Sequence, residues 1–159
     1  MEHKVRVLPP EELMEQLLDV MEQTGTVPLI ISGSSMSPFL VHGRDTVYLS
    51  KITAHLKKGD MILYRRRNGA YILHRICRVE EDSFCLVGDA QILIEPGIRR
   101  DQVLAIVTAV RRKGKLLRKG SFWWDFFERV WLRVIPLRRP IVALYGFLMG
   151  RRKEENGND

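Results

Sequence analysis

The chain has 159 residues, of which 45% are hydrophobic, and carries a net charge of +7 at neutral pH. This length predicts one domain with a genuine core plus appendages. Its two cysteines, Cys77 and Cys85, match no metal-binding or redox spacing, so free thiols are the expectation, while the strand register decides whether the two face each other.

The N-terminal segment, residues 1–26, is predicted to be helical. It begins polar and acidic, without the charged region and apolar run of a secretory signal, so no such signal is expected. The sequence Pro-Pro-Glu-Glu at 9–12 is typical of a helix start, and Gly25 is typical of a helix C-terminus. One face of this helix carries Leu13, Leu17, Val20 and Met21.

Residues 27–115 are predicted to form a β domain. Short strand-like runs separated by turns favour a mainly β fold with a partly closed sheet. The sequence Glu-Glu-Asp-Ser at 80–83 predicts a hairpin turn between the two cysteines. The predicted strands cover residues 27–31, 47–49, 61–65, 72–79, 84–87 and 103–110.

The positive charge is concentrated near the C-terminus. Residues 1–110 carry thirteen basic and fourteen acidic groups, a net of −1, whereas residues 111–153 carry thirteen basic and two acidic groups, a net of +11. The basic run at 111–119 belongs to no nucleic-acid-binding motif, and we expect no nucleic-acid partner.

Residues 116–153 are predicted to form a basic, aromatic region with amphipathic helices. The first helix is expected at about 122–134 and the second from residue 141, with a proline break around Pro136. The six residues that follow, 154–159, are predicted to be an acidic, disordered tail.

Aromatic residues beside Arg and Lys on an amphipathic helix are typical of interfacial membrane binding. We therefore expect residues 121–150 to contact a membrane surface, on the cytoplasmic face because basic groups favour an anionic leaflet by about 1 kcal/mol each. A purely cytoplasmic location is the second choice. In the alternative, Trp123, Phe127 and Trp131 pack onto the core or a dimer partner, since a spacing of four marks any amphipathic helix.

The sequence Gly-Ser-Ser-Met-Ser-Pro at 33–38 follows the first predicted strand and contains a serine among small residues. Serine is a weak nucleophile at neutral pH and needs a neighbouring base. His74, within the predicted strand 72–79, is the best-placed base. Together Ser35 and His74 indicate a serine peptidase site, whereas a turn hydroxyl and a buried structural histidine are the alternatives.

Four motifs occur in an order that resembles type I signal peptidases and their LexA-like relatives. They are Gly-Ser-Ser-Met-Ser-Pro at 33–38, Gly-Asp-Met-Ile-Leu-Tyr at 59–64, Tyr-Ile-Leu-His-Arg-Ile at 71–76 and Gly-Asp-Ala-Gln at 88–91. Bacterial signal peptidases and LexA-like proteins typically have lysine where this chain has His74. The chain therefore resembles the endoplasmic-reticulum and archaeal type, and the implied fold is an antiparallel β core.

The resemblance implies a role for each matched residue. Ser35 would be the nucleophile and His74 the general base, oriented by Asp89 as the preferred third group or by Glu95 as the second choice. The oxyanion would rest on the Ser35 N–H, because the hydroxyl that some members place two residues earlier is replaced by Gly33. A hydroxyl from Ser32 or Ser34 would help there, and Met36 and Pro38 would shape the substrate groove.

The implied activity is endoproteolysis of a signal or leader peptide at small residues, with no metal or organic cofactor. Two alternatives stay open. One is a peptide-binding scaffold that keeps the fold without turnover, and the other is a LexA-like regulator that cleaves itself. Against the self-cleaving regulator, this chain lacks the Ala-Gly dipeptide that such proteins cut.

Overall fold

A computed structural model describes residues 10–141, 143 and 144. It contains a sheet of eight strands, all paired antiparallel, with an N-terminal helix and a C-terminal helix. This confirms the predicted mainly β fold class. The predicted acidic tail, 154–159, and the end of the second C-terminal helix lie outside the described residues.

The observed elements agree with most of the predicted ones and add two strands. Helix α1 spans Pro10–Thr24 and ends at Gly25, whose φ of +82° suits glycine. Strands β6 and β8 were not predicted, because each is short and lacks a clear apolar alternation. The strands are β1 (Thr26–Ile30), β2 (Thr46–Ser50), β3 (Met61–Arg65), β4 (Tyr71–Val79), β5 (Ser83–Val87), β6 (Glu95–Arg99), β7 (Val103–Arg112) and β8 (Lys115–Arg118).

Strand β7 lies at the centre of the sheet. The order is β1-β2-β7-β3-β4-β5-β6, and β8 also pairs with β7. One edge of β7 pairs with β2, while its other edge pairs with β3 along its first half and with β8 along its second. This arrangement leaves β1, the strand before the serine loop, at one end of the sheet.

The C-terminal helical segment, residues 122–141, begins with the short helix α2 (Phe122–Asp125). It continues as a π-helical turn, Phe126–Val130, and then as a 3₁₀-helical stretch, Trp131–Leu137. The kink lies at Val134, where φ is −103° and ψ is 28°, and the helix resumes at residue 138. The kink coincides with the predicted end of the first helix at about residue 134, whereas the second helix begins at residue 138 rather than at 141.

The C-terminal helical segment packs directly on the β domain. Trp124, Phe127 and Trp131 are each at least 95% buried in the main core. The ring of Phe127 lies 4.8 Å from that of Phe39, which is fully buried in the loop after β1. This corrects the division of the chain into a β domain and a separate region 116–153, because the two share one core.

The exposed aromatic residues of this segment are its first two. Phe122 is 73% exposed and Trp123 is 45% exposed. The alternative of packing onto the core thus holds for Phe127 and Trp131 but not for Trp123. Within the described residues, no helix has the length and apolar character needed to cross a bilayer.

Truncating Phe127 to alanine should lower the free energy of unfolding by about 3–5 kcal/mol, because it removes a buried ring from the shared core. Phe122→Ala, which changes an exposed ring in the same segment, should change it by less than about 0.5 kcal/mol. Urea denaturation followed by circular dichroism measures both. Equal small effects would mean that the segment is not part of the core.

Candidate active site

Ser35 lies in the loop that joins β1 to β2, where it is half-buried. Its carbonyl oxygen accepts a hydrogen bond of 2.8 Å from the N–H of Ala90. Its own N–H donates no hydrogen bond to another described residue. Two residues earlier, Gly33 has a φ of +85° and donates its N–H to His42 Nδ1 at 3.1 Å. The Ser35 amide is therefore among the loop amides that donate to no described residue.

His74 lies on β4 opposite Ile62 of β3 and is only 3% exposed. Its Nδ1 lies 3.3 Å from the hydroxyl oxygen of Tyr64. That hydroxyl donates a hydrogen bond of 2.6 Å to Glu95 Oε2. Since the Tyr64 proton is directed at the carboxylate, we assign the donor in the contact with His74 to Nδ1–H. This tautomer leaves His74 Nε2 as an acceptor, which is the form that a general base requires.

Glu95 is held in place by Arg66. The guanidinium donates two hydrogen bonds to the carboxylate, of 2.8 and 2.6 Å. These bonds keep the pKa of Glu95 below its usual value. Burial, together with the hydrogen bond to Glu95, raises the pKa of Tyr64. Tyr64 therefore stays protonated at neutral pH and connects the carboxylate to the imidazole.

Burial lowers the pKa of His74 to about 4, against the opposing attraction of the Glu95 carboxylate. The imidazole is accordingly neutral at pH 7. A neutral imidazole is able to accept a proton, although a base with a lowered pKa accepts it less strongly.

Ser35 and His74 approach each other at Gly88. A Cβ at that position would lie 2.5 Å from the Ser35 carbonyl oxygen, 2.9 Å from Gln91 Oε1 and 3.1 Å from His74 Nε2. Only glycine fits between these groups. The described structure contains no hydrogen bond between the Ser35 hydroxyl and the imidazole, so the two residues are neighbours rather than a bonded pair.

Asp89, the preferred third group, contacts a different residue. Its two carboxylate oxygens accept hydrogen bonds of 3.0 Å each from the guanidinium of Arg75, and both side chains are fully buried. His74 makes no hydrogen bond with Asp89 among the described residues. The assignment of Asp89 as the orienter is therefore corrected: the carboxylate is occupied by Arg75, and Glu95 reaches His74 through Tyr64.

Arg75 joins three of the four predicted motifs. Besides Asp89 it donates 2.9 Å to the carbonyl of Gly59, and its guanidinium carbon lies 5.5 Å from the ring of Phe39. The remaining motif, residues 33–38, is joined to them by the hydrogen bond from the Ala90 N–H to the Ser35 carbonyl. Segments far apart in the chain thus meet around a single buried cation.

The remaining predicted site residues differ in their surroundings. Gly33 and Ser34 are exposed beside Ser35, and Pro38 is half-buried. Met36 is 98% buried in the main core. Its predicted place in the wall of a substrate groove is therefore corrected, because its side chain faces the interior.

An open cleft of about 590 Å³ lies on one side of His74. The loop after Gln91 supplies two exposed apolar side chains to it, Leu93 and Ile94. Its charged lining comes from Arg66, Glu95 and Arg139. The cleft is thus wide enough for a peptide side chain and lies next to the imidazole.

Sequence reasoning missed Tyr64 and Arg66, which complete the arrangement behind His74. Tyr64 ends the second motif, and it follows three apolar residues of its strand, so it looked like a core residue. Its pairing opposite Ile72, two residues before His74, was available only after the register of β3 and β4 was known. No local signal marks Arg66.

No protein-family model, curated protein or solved structure matches this chain. The resemblance to signal peptidases therefore depends on the four motifs.

Protonation of His74 should make stability depend on pH. Below the usual pKa of 6.5, the unfolded chain binds a proton that the folded chain refuses until about pH 4. The free energy of unfolding contributed by this site is thus complete above pH 6.5 and falls as pH decreases toward 4. The pH range from 6.5 to 5 separates His74 from Glu95, because the stability that ionised Glu95 contributes is lost only below about pH 4.5.

We expect His74→Asn to remove part of the decrease in stability between pH 6.5 and 5, measured by urea denaturation at each pH. The exposed His55→Asn, which retains the buried imidazole, is the matched control. An identical pH dependence in all three proteins would contradict the buried, neutral His74.

Proposed function

We propose that the chain is a serine endopeptidase of the signal peptidase type, in which Ser35 attacks the scissile carbonyl and His74 accepts the hydroxyl proton. The observation that carries this proposal is that the Ser35 carbonyl oxygen and His74 Nε2 both border Gly88, where no side chain fits, so that the backbone of the serine loop lies beside the imidazole. Nucleophilic catalysis by serine requires the hydroxyl of that loop to reach a neutral imidazole when substrate binds.

The third group in the proposed site is Glu95, acting through the Tyr64 hydroxyl. In this role Glu95 and Tyr64 fix the tautomer of His74 and attract the imidazolium that forms when the proton is transferred. The two short bonds from Arg66 hold the carboxylate in a single orientation. Asp89 supports the same site indirectly, by orienting the turn at 88–91.

The proposed oxyanion donor is the Ser35 N–H, which is not used by other described residues. A site with one backbone donor is weaker than one with two, since each donor is typically worth on the order of 10²–10³ in rate. We therefore expect a slow enzyme or one that depends strongly on its correct substrate.

The proposed substrate is an extended peptide. Residues of β1 alternate in direction, and those that bond toward β2 are the odd-numbered ones, as the contact of Ile31 N with Asp45 O indicates. Ile30 therefore directs its backbone groups to the free edge of the sheet, and its side chain is 63% exposed. This edge leads into the serine loop and offers a place for strand addition. The preference for small residues beside the cut bond is what the family resemblance implies.

A non-catalytic peptide-binding scaffold is the second candidate function. The observation that favours it is the missing hydrogen bond between the Ser35 hydroxyl and His74. It uses the same free edge and cleft but requires no chemistry.

Wild-type protein should cleave at least one member of a panel of signal and leader peptides, as followed by mass spectrometry. Ser35→Ala and His74→Ala should lower the rate by at least 10³-fold and about 10²–10⁴-fold, respectively, because they remove the nucleophile and the base. Glu95→Gln and Tyr64→Phe should lower kcat by roughly 10–10²-fold through loss of the orienting group.

Ser37→Ala, a neighbouring serine of the same loop, is the matched control and should retain wild-type cleavage. Peptides that bind equally to wild type and Ser35→Ala without being cut would favour the scaffold and oppose the peptidase.

The proposed place of action is the surface of an anionic membrane, on its cytoplasmic face. Leu137, Ile141 and Leu144 are 57%, 41% and 59% exposed and are spaced as one helical face. Exposed arginines, Arg133 and Arg139, lie in the same segment. Apolar and cationic side chains side by side favour an interfacial position. The rest of the predicted contact region, 145–150, lies outside the described residues.

Vesicles that contain an anionic phospholipid should sediment the wild-type protein, whereas vesicles of zwitterionic lipid should sediment much less of it. Replacing both Leu137 and Ile141 with serine should lower the affinity for anionic vesicles by about tenfold or more, because less apolar area is buried at the surface. The matched control is Leu116→Ser, an exposed leucine on β8. Equal binding by the two variants would contradict this surface.

A further inference from the structure

Three carbonyl oxygens of the turn at 88–91 accept hydrogen bonds from the C-terminal helical segment. Arg138 is fully buried, and its Nη1 donates to the carbonyls of Gly88 at 2.8 Å and Gln91 at 3.0 Å. The indole N–H of Trp131 donates to the carbonyl of Asp89 at 2.7 Å. The turn is thus held from behind at three of its four residues.

Arg138 and Trp131 also contact each other. Arg138 Nε and Nη2 donate to the carbonyl of Trp131 at 3.3 and 3.1 Å. The guanidinium carbon lies 5.5 Å from the centroid of the Trp131 ring. The hydrogen bonds that this buried cation makes with described residues are therefore all directed at backbone carbonyls, of the turn on one side and of its own segment on the other.

The opposite side of the turn contacts the site. The Ala90 N–H donates to the Ser35 carbonyl at 2.8 Å, and Gly88 separates that carbonyl from His74 Nε2. A displacement of the turn therefore changes the position of Ser35 relative to the imidazole. Displacements of about 1 Å in such arrangements can cost on the order of 10² in rate.

We propose that Arg138 and Trp131 are positioning residues that hold the turn at 88–91 against Ser35 and His74. The proposal depends on the proposed peptidase function and extends it, because it makes the C-terminal helical segment a necessary part of the catalytic unit. Burying an arginine is costly, and an apolar side chain would fill the same space at less cost. The arginine and the indole orient the three carbonyls of the turn by hydrogen bonds, which an apolar side chain could not do.

The test combines a serine-directed fluorophosphonate probe with amide hydrogen exchange on the full chain. In Arg138→Gln, the maximal labelling rate of Ser35, kinact, should fall by at least tenfold, while the concentration at half-maximal rate changes less than twofold. Exchange at the Ala90 amide should rise by at least tenfold, with amides of β2 and β7 unchanged. Arg138→Lys should recover part of both effects.

Arg129→Gln, an exposed arginine of the same segment, is the control and should behave as wild type. Trp131→Phe keeps the ring but lacks the donor, so it provides the same test if Arg138→Gln does not fold. Wild-type kinact and wild-type exchange at Ala90 in these variants would overturn the proposal. Absence of Ser35 labelling in wild type would instead contradict the peptidase, and exchange at Ala90 would then still decide whether Arg138 and Trp131 hold the turn.

Discussion

The buried ion pair between Arg75 and Asp89 is the interaction on which the rest of the site depends. Both side chains are fully buried, and the third guanidinium nitrogen, Nη1, donates to the Gly59 carbonyl. A buried pair gains little net stability over apolar residues, but the loss of either partner leaves an uncompensated charge and typically costs about 3–5 kcal/mol. The pair therefore ties the start of β3, the middle of β4 and the turn after β5 into one geometry.

Asp89 has no freedom to act on His74 in this arrangement, and that has a consequence for the turn that carries it. Because the side chain of Asp89 is fixed from one direction and its carbonyl from another, by the Trp131 indole, the neighbouring Gly88 is held close to Ser35 and His74. The same glycine leaves room for a serine carbonyl and an imidazole nitrogen to approach. The conformation of the turn is thus fixed by tertiary contacts to its backbone and side chains rather than by its local sequence alone.

Local patterns were enough to predict most of the fold. Residues of β3 and β4 form apolar runs with turn residues on either side, and Gly25 ends a helix with a regular apolar face, so each of these elements could be recognised alone. β6 could not, since it begins Glu-Pro-Gly and becomes a strand through pairing with β5. The sequence also did not show which side of the C-terminal helical segment is buried. Trp123, Trp124 and Phe127 lie close together in the sequence, and contacts with the core, among them those with Phe39, determine which rings are covered.

The sequence named some residues of the candidate site, but neither Tyr64 and Arg66 nor the connections among the residues. Ser35, His74, Asp89 and Glu95 were all identified, yet the partner of each acidic residue depends on register. Asp89 contacts Arg75 rather than His74, because these two neighbours on β4 point to opposite faces of the sheet. Tyr64 and His74 share a face of two paired strands, which brings a hydroxyl between the imidazole and Glu95. Spacing along the chain contains neither fact.

The environment of His74 also sets the kind of peptidase that this site would support. Burial keeps the imidazole neutral and ready to accept a proton, but the same burial penalises the imidazolium that forms when Ser35 attacks. The Glu95 carboxylate opposes that penalty by charge attraction without a direct hydrogen bond to the imidazole, Arg66 cancels part of this attraction, and Asp89 adds a smaller one. The missing attraction would have to come from the substrate, whose developing oxyanion at the Ser35 N–H is the nearest new negative charge. Proton transfer would then become favourable only as that negative charge forms, on a bound peptide or on a phosphonate that Ser35 attacks, so the developing charge and the proton transfer depend on each other.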